Sequence, residues 1–151
     1  MGFATYSLKD VKTVLKYDAY KNVLSDNGAG RISWTYAGDM SAMTTTATGY
    51  VVINRLVAKN GSLTIEVPVN SPADDFMRKW VKWLKEVQTS NYGVSSVEVS
   101  DPAGGRDHSF LGVVPQKEPD ETYDQTAGNR TYNLLFAELV TTVTKTDANN
   151  A

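Results

Sequence analysis

Between Gly61 and Val87 the hydrophobic rhythm of the chain changes from every second residue to every third or fourth. Leu63, Ile65, Val67 and Val69 alternate with Ser62, Thr64, Glu66 and Pro68, which puts the four apolar side chains on one face of a pleated strand. Ser71-Pro72-Ala73-Asp74 follows, with a serine suited to the N-cap, a proline at the first helical position and an acid three residues after the cap. Beyond it Phe76, Trp80, Trp83, Leu84 and Val87 recur at three- and four-residue steps, with Met77 and Val81 beside them. Arg78, Lys79, Lys82, Lys85 and Glu86 fall mainly elsewhere on the wheel, so the spacing predicts an amphipathic helix. Burying each large side chain of its core face is worth roughly 1.5–3 kcal/mol. That face must therefore lie on something, and the preceding strand is the nearest candidate.

The remaining segments read mostly as strands. Ala4 to Leu15 fits one or two short strands with a bend near Lys9-Asp10. From Lys16 to Leu24 both periods fit Tyr17, Tyr20, Val23 and Leu24, and the segment reads as a turn running into Ser25-Asp26-Asn27-Gly28-Ala29-Gly30. Arg31 to Tyr36 alternates, with Ile32, Trp34 and Tyr36 on one face. Between Gly38 and Gly49 stand Asp39, Met40, Ser41, Ala42, Met43, Thr44, Thr45, Thr46, Ala47 and Thr48, too few large apolar groups for a core of their own. A long loop or projecting hairpin is expected. Tyr50 to Lys59 regains strand character, and Asn60-Gly61 predicts a hairpin that pairs it with the Ser62–Val69 strand.

After the helix, Gln88 to Gly93 is turn-rich. Val94–Val99 and Ser109–Val114 then form a second hairpin around Asp101–Asp107, with Val97 and Val99 inward and Gly112 marking a bulge. Pro115 to Gly128 is acidic and almost without apolar residues, as an exposed loop would be. Arg130 to Thr144 reads as one long strand with Tyr132, Leu134, Phe136 and Val140 on one face and Leu135, Ala137, Leu139 and Val143 on the other. Apolar residues on both faces imply burial on both. Thr146–Ala151 is expected to fray. The pattern thus predicts one mainly β domain over residues 1–151 with a single flanking helix.

Composition narrows the function classes. A chain of 151 residues can bury a real core as one domain. With 15 basic and 17 acidic residues, it lacks the cationic field of a protein that grips nucleic acid through phosphates. The absence of cysteine excludes disulfides and thiolate metal sites. Neither a signal-peptide pattern nor an apolar run long enough for a bilayer occurs, so a soluble product made in the cytoplasm, with no membrane insertion, is expected. Tyr6 stands where a myristoylation start at Gly2 would need Ser or Thr.

Candidate chemistry is sparse. His108, the one histidine, has no cysteine or second histidine with which to hold zinc and no oriented nucleophile to serve. Asp74-Asp75 is explained by the favourable end of the helix dipole. Glu118 to Asp124 lacks the ligand spacing of a calcium loop. Gly28-Ala29-Gly30 and Gly104-Gly105 lack a phosphate-loop lysine or a dinucleotide pattern. Trp80 and Trp83 fit core packing better than a base-stacking platform, and the sequons at Asn60 and Asn129 have no secretory signal to give them meaning. No catalytic residue, cofactor or metal is predicted.

The opening Ala4-Thr5-Tyr6-Ser7-Leu8-Lys9-Asp10-Val11, the Gly28-Ala29-Gly30 turn, the Gly61–Val69 strand running through Ser71-Pro72 into a helix, and the closing strand after the acidic loop together resemble tail tube proteins of contractile-tailed phages. The resemblance spans most of the chain and is weakest at Lys16–Leu24. It implies a β-sandwich or small barrel with one flanking helix. Six copies would form a ring, and rings would stack into a hollow tube, similar in plan to that of type VI secretion systems. The implied partners are further copies, the tail sheath, baseplate and terminator, and the tape measure protein and DNA in the lumen, held without sequence-specific binding. The implied location is the virion. On this resemblance residues 38–49, from Asp39 to Thr46 above all, become the arm to the adjacent ring. Tyr132, Leu134, Leu135, Phe136 and Leu139 become an inter-subunit strand, and one of Glu66, Glu98 or Glu138 would face the lumen. A bacteriocin or type VI-like tube shares this fold. A monomeric ligand-binding β-sandwich, with Trp34, Tyr36 and Tyr50 as stacking residues, is the rival of a different class.

Overall fold

Among the described residues, strand alternation and helical spacing are realised as two antiparallel sheets, one α-helix and a detached hairpin. The computed structural model describes residues 11–122, 125–126 and 128–143, so the expectations for 4–10 and for the tail at 146–151 lie outside the described residues. The strands are β1 (Lys12–Tyr17), β2 (Tyr20–Val23), β3 (Arg31–Tyr36), β4 (Ser41–Thr45), β5 (Val51–Arg55) and β6 (Gly61–Pro68). After the helix α1 (Pro72–Glu86) come β7 (Ser96–Asp101), β8 (Arg106–Leu111), β9 (Val114–Pro115), β10 (Asn129–Phe136) and β11 (Glu138–Val143). One sheet has the order β11-β8-β7-β1-β2, the second β3-β6-β10-β9, and β4 pairs with β5 alone. The barrel alternative does not hold, because the two main sheets remain separate.

Inward side chains of both sheets share one core. Leu63, Ile65 and Val67 of β6 lie in register with Leu134, Tyr132 and Arg130 of β10, and Ile32 and Trp34 of β3 face Ile65 and Leu63 from the other side. From the opposite sheet come Leu15, Val97, Val99 and Phe110. Phe110 bridges the layers, 5.1 Å from Trp34 and 5.0 Å from Phe136 between ring centroids. Gly61 is needed where β3 and β10 close on β6: a side chain there would overlap the Thr35 carbonyl oxygen and the Phe136 ring.

The helix begins as its sequence predicts. Ser71 Oγ accepts the Asp74 backbone N–H at 3.2 Å, and Pro72 opens the first turn. The centre of its buried face is Ala73, Met77, Trp80 and Leu84. Phe76, Trp83 and Val87 lie at the half-buried margin, where Phe76 and Trp83 flank the Tyr17 ring at 5.4 and 5.2 Å. Trp80 is fully buried and its indole N–H donates to Ser95 Oγ at 2.8 Å, which satisfies the polar end of a core side chain.

Three expectations need correction. The segment from Lys16 to Leu24 is not a simple turn. β1 and β2 form a hairpin through Asp18, which has a φ of 50°, and Leu24–Asn27 is a short 3-10 turn. The Tyr50–Lys59 strand does not pair with β6. Both sides of β6 are taken by β3 and β10, whose alternating large residues complete its apolar face, and β5 turns back on β4. Finally, Arg130–Thr144 is not one strand buried on both faces. The chain leaves one sheet at Phe136 and enters the other at Glu138, so the two apolar faces belong to two strands. Small residues permit the crossing: Ala137 N–H donates to the Leu111 carbonyl at 2.9 Å, and Gly112, at φ 65°, packs where a side chain would strike Ala137.

Candidate assembly surfaces

The detached hairpin exposes apolar groups that its own chain does not cover. Every residue of β4 and β5 is exposed, including Met43 at 70% and Ile53 at 69%, which stand opposite one another in register. Met40 (85%), Tyr50 (70%) and Val57 (79%) extend the surface along the arm. Its tip is nonetheless well made. Thr46 N–H donates to the Tyr50 carbonyl at 2.8 Å, Thr46 Oγ1 accepts the Tyr50 N–H at 3.1 Å, and Gly49 takes the positive φ of 86° that the turn requires. The root lies between β3 and β6, where Ala37 N–H donates to the Asn60 carbonyl at 3.0 Å. The predicted arm residues Asp39 to Thr46 thus lie on its first strand and approach. The second strand, rich in β-branched residues, supplies Val51, Val52 and Ile53.

The sheet faces differ in chemistry. Register places Arg31, Ser33, Thr35, Ser62, Thr64, Glu66, Thr131 and Asn133 together on the outer face of the four-stranded sheet, with Thr64 Oγ1 donating to Asn133 Oδ1 at 3.3 Å. Glu98 and Glu138 belong to the outer face of the five-stranded sheet, beside Val14 and Val140. One wall can therefore present Glu66, or Glu98 with Glu138, but not all three. Of the predicted inter-subunit strand, Tyr132, Leu134 and Phe136 are buried inside the subunit and Leu139 packs on the core. Leu135, on the outer face, is 39% exposed.

Beneath the helix start lies a constellation that sequence reading missed. Asp74 is fully buried and Arg130 only 4% exposed. Arg130 Nη1 donates to both Asp74 carboxylate oxygens at 2.8 and 2.6 Å, the Tyr132 hydroxyl donates to Oδ1 at 2.9 Å, and Asn70 N–H donates to Oδ2 at 3.0 Å. Burial alone would raise the Asp74 carboxyl, but these donors hold it below the usual carboxylate range. Burial and the neighbouring carboxylate push the Tyr132 hydroxyl up. Arg130 and Tyr132 are both engaged by Asp74, which joins α1 to β10. The available signal was Arg130 itself, a charge in the inward phase of an otherwise apolar alternation.

The other candidates remain structural. His108 lies against the Trp34 ring at 4.8 Å, with Nδ1 2.9 Å from Thr141 Oγ1, and burial lowers its pKa from the ordinary value. No group of three metal-ligating side chains occurs among the described residues. Trp34, Tyr36 and Tyr50 do not converge: Trp34 is in the layer between the sheets, Tyr36 packs edge-on to Phe136, and Tyr50 lies on the arm. Among the described residues no helix is long and apolar enough to cross a membrane.

The chain and its fold have known counterparts. A family profile described as the bacteriophage PhiTE tail tube protein matches residues 3–143. The chain belongs to this tail tube family. Membership makes it a structural component of a phage tail and not an enzyme. No curated protein sequence matches it. Its fold is similar to the tube-terminating cap of the anti-feeding prophage, with a TM-score of 0.57 at 7% identity, covering 95% of this chain and 93% of that one. It is also similar to a chain of the sheath–tube complex of PVC, an extracellular contractile injection system (TM-score 0.56, 8% identity, 87% and 88% covered). A chain of the six-fold symmetrised anti-feeding prophage baseplate gives a TM-score of 0.57 at 10% identity, covering 97% and 100%. At such identities the likeness to these chains is one of fold.

Proposed function

We propose that this tail tube protein assembles into six-membered rings that stack into the conduit through which DNA leaves the virion. The observation that carries this reading is the β4–β5 arm, whose Met43, Tyr50 and Ile53 are about seven-tenths exposed. Apolar area in water costs about 25 cal/mol per Å², and a contiguous exposed apolar surface marks an interaction site. In the proposed stack the arm lies against the adjacent ring. Rings close through the four-stranded sheet, whose edges β3 and β9 each have a neighbour on one side only. The outer face of that sheet, with its short hydroxyl and amide side chains, lines the lumen and presents Glu66 to the passing polyanion. The five-stranded sheet and α1 then face outward, towards sheath, baseplate and terminator. The six-fold number is supported by likeness to a chain of a six-fold symmetrised assembly. Negative-stain microscopy of the purified protein tests the proposal: six-fold rings or tubes are expected, and deletion of Thr44–Ala47 is expected to shorten or abolish tubes. A well-folded protein that stays dispersed at high concentration, or deletion-bearing tubes of normal length and stability, would contradict it.

A further inference from the structure

The two faces of the β4–β5 arm are unequal. Residues directly opposite one another in an antiparallel pair point to the same side, and successive residues point to opposite sides. The register Thr45↔Val51, Met43↔Ile53 and Ser41↔Arg55 therefore puts Met43, Val51 and Ile53 on one face, with Arg55 at its root end. Met43 and Ile53 are about seven-tenths exposed and Val51 is 47% exposed, so this face is a contiguous apolar strip that its own chain leaves in water. The other face of the paired strands carries Ala42, Thr44, Val52 and Asn54. Its polar groups already answer one another, Asn54 Nδ2–H donating to Thr44 Oγ1 at 3.3 Å, and its one large apolar residue, Val52, is 42% exposed. Covering the first face removes apolar area from water. Covering the second would take an amide and a hydroxyl out of water with a single hydrogen bond between them. Charge singles out the same face as the first: Arg55 is the one charged residue from Met40 to Val57, so the arm carries +1 and the rest of the chain −3 of the formal net −2, and Arg55 has no ion pair among the described residues.

We propose that the arm lies one-sided on a second copy of this chain: the Met43, Val51 and Ile53 face seats on the net-negative body of that copy with Arg55 against one of its carboxylates, and the Thr44–Asn54 face stays in water. The inference rests on the stacked-ring reading and adds which face of the arm is covered. Arm and seat are different parts of the chain, so the contact is head-to-tail and repeats without closing. The test compares full-length Met43→Cys, Ile53→Cys, Thr44→Cys and Asn54→Cys as dispersed subunits and as tubes. On assembly, thiol alkylation should slow by about tenfold or more at positions 43 and 53 and by less than about twofold at 44 and 54. Charge insertion gives a second readout that needs no labelling. Met43→Asp should stop tube growth in negative stain, Asn54→Asp should leave tubes of native length, and Arg55→Glu should raise the protein concentration needed for growth by about tenfold. Equal protection of all four thiols would place the arm between two neighbours and overturn the one-sided contact, as would loss of tubes in Asn54→Asp or an unchanged threshold in Arg55→Glu. Absence of tubes from the native protein would overturn ring stacking itself, and this inference with it.

Discussion

The β6–β10 pair and the β4–β5 pair are both antiparallel units built from alternating or β-branched residues. In the first, every second side chain is buried; in the second, all are exposed. The first is finished within the subunit: Leu63, Ile65, Tyr132 and Leu134 meet α1 and the opposite sheet, and even its one inward charge is matched. The second has a well-satisfied backbone and tip but no layer above or below. Strand formation and burial are thus separate properties of a sequence, and the arm has the first without the second. In the proposed stack the apolar ribbon held away from its own core is covered by the adjacent ring.

The sharpest way to break this contrast is to disturb the finished half. Arg130→Ala leaves the Asp74 carboxylate buried and unpaired and should cost about 3–5 kcal/mol, measured by urea unfolding of the dispersed subunit. A cost within 1 kcal/mol of zero would mean that the α1–β10 junction is not held as described. Trp80→Phe removes both volume and the hydrogen bond to Ser95 and should cost about 1–3 kcal/mol by the same measurement. Ser71→Ala deletes the acceptor for the Asp74 N–H and should cost about 1 kcal/mol.

Acid sharpens the comparison differently. Because the folded-state pKa of Asp74 is depressed, its contribution is complete above the unfolded value of about 3.9 and is lost as pH falls through the folded value. Stability followed below pH 4 should therefore drop more steeply in the native protein than in Asp74→Asn, which has already lost the contribution. At the small end stand arm substitutions. Ile53→Asp should change subunit stability by no more than about 0.5 kcal/mol, since nothing in the subunit packs on Ile53, while preventing tube growth in negative stain.

Much of the finished half was legible in the sequence. The two-residue rhythm of Ser62–Pro68, the Ser71-Pro72 start and the wheel of α1 report burial directly, because each side chain's phase is fixed by its own backbone. What sequence could not report was which strand lies beside which. Asn60-Gly61 has the chemistry of a tight hairpin, but β6 gains more by pairing with β3 and β10, whose inward residues complete one apolar layer. The apparent two-faced strand Arg130–Thr144 misled because a crossing between sheets inverts which face is inward, and only Ala137 and Gly112 together show where that happens. Of the assembly surfaces, the arm's position was readable from its poverty in large apolar groups between Gly38 and Gly49. Its second strand, expected beside Ser62–Val69 on the strength of Asn60-Gly61, turns back on β4 instead, and β-branched residues such as Val51-Val52-Ile53 report strand character without reporting what covers it.

The cysteine-free chain allows the central claim, that the β4–β5 arm is covered in the assembled tube, to be tested with a single reactive group. In Ile53→Cys, the rate of thiol alkylation is compared between dispersed subunits and assembled tubes. Rapid labelling of the subunit and strong protection in the tube, lost again on disassembly, is the predicted result. Equal labelling rates in the two states would show that the arm stays in solvent after assembly and would contradict the account.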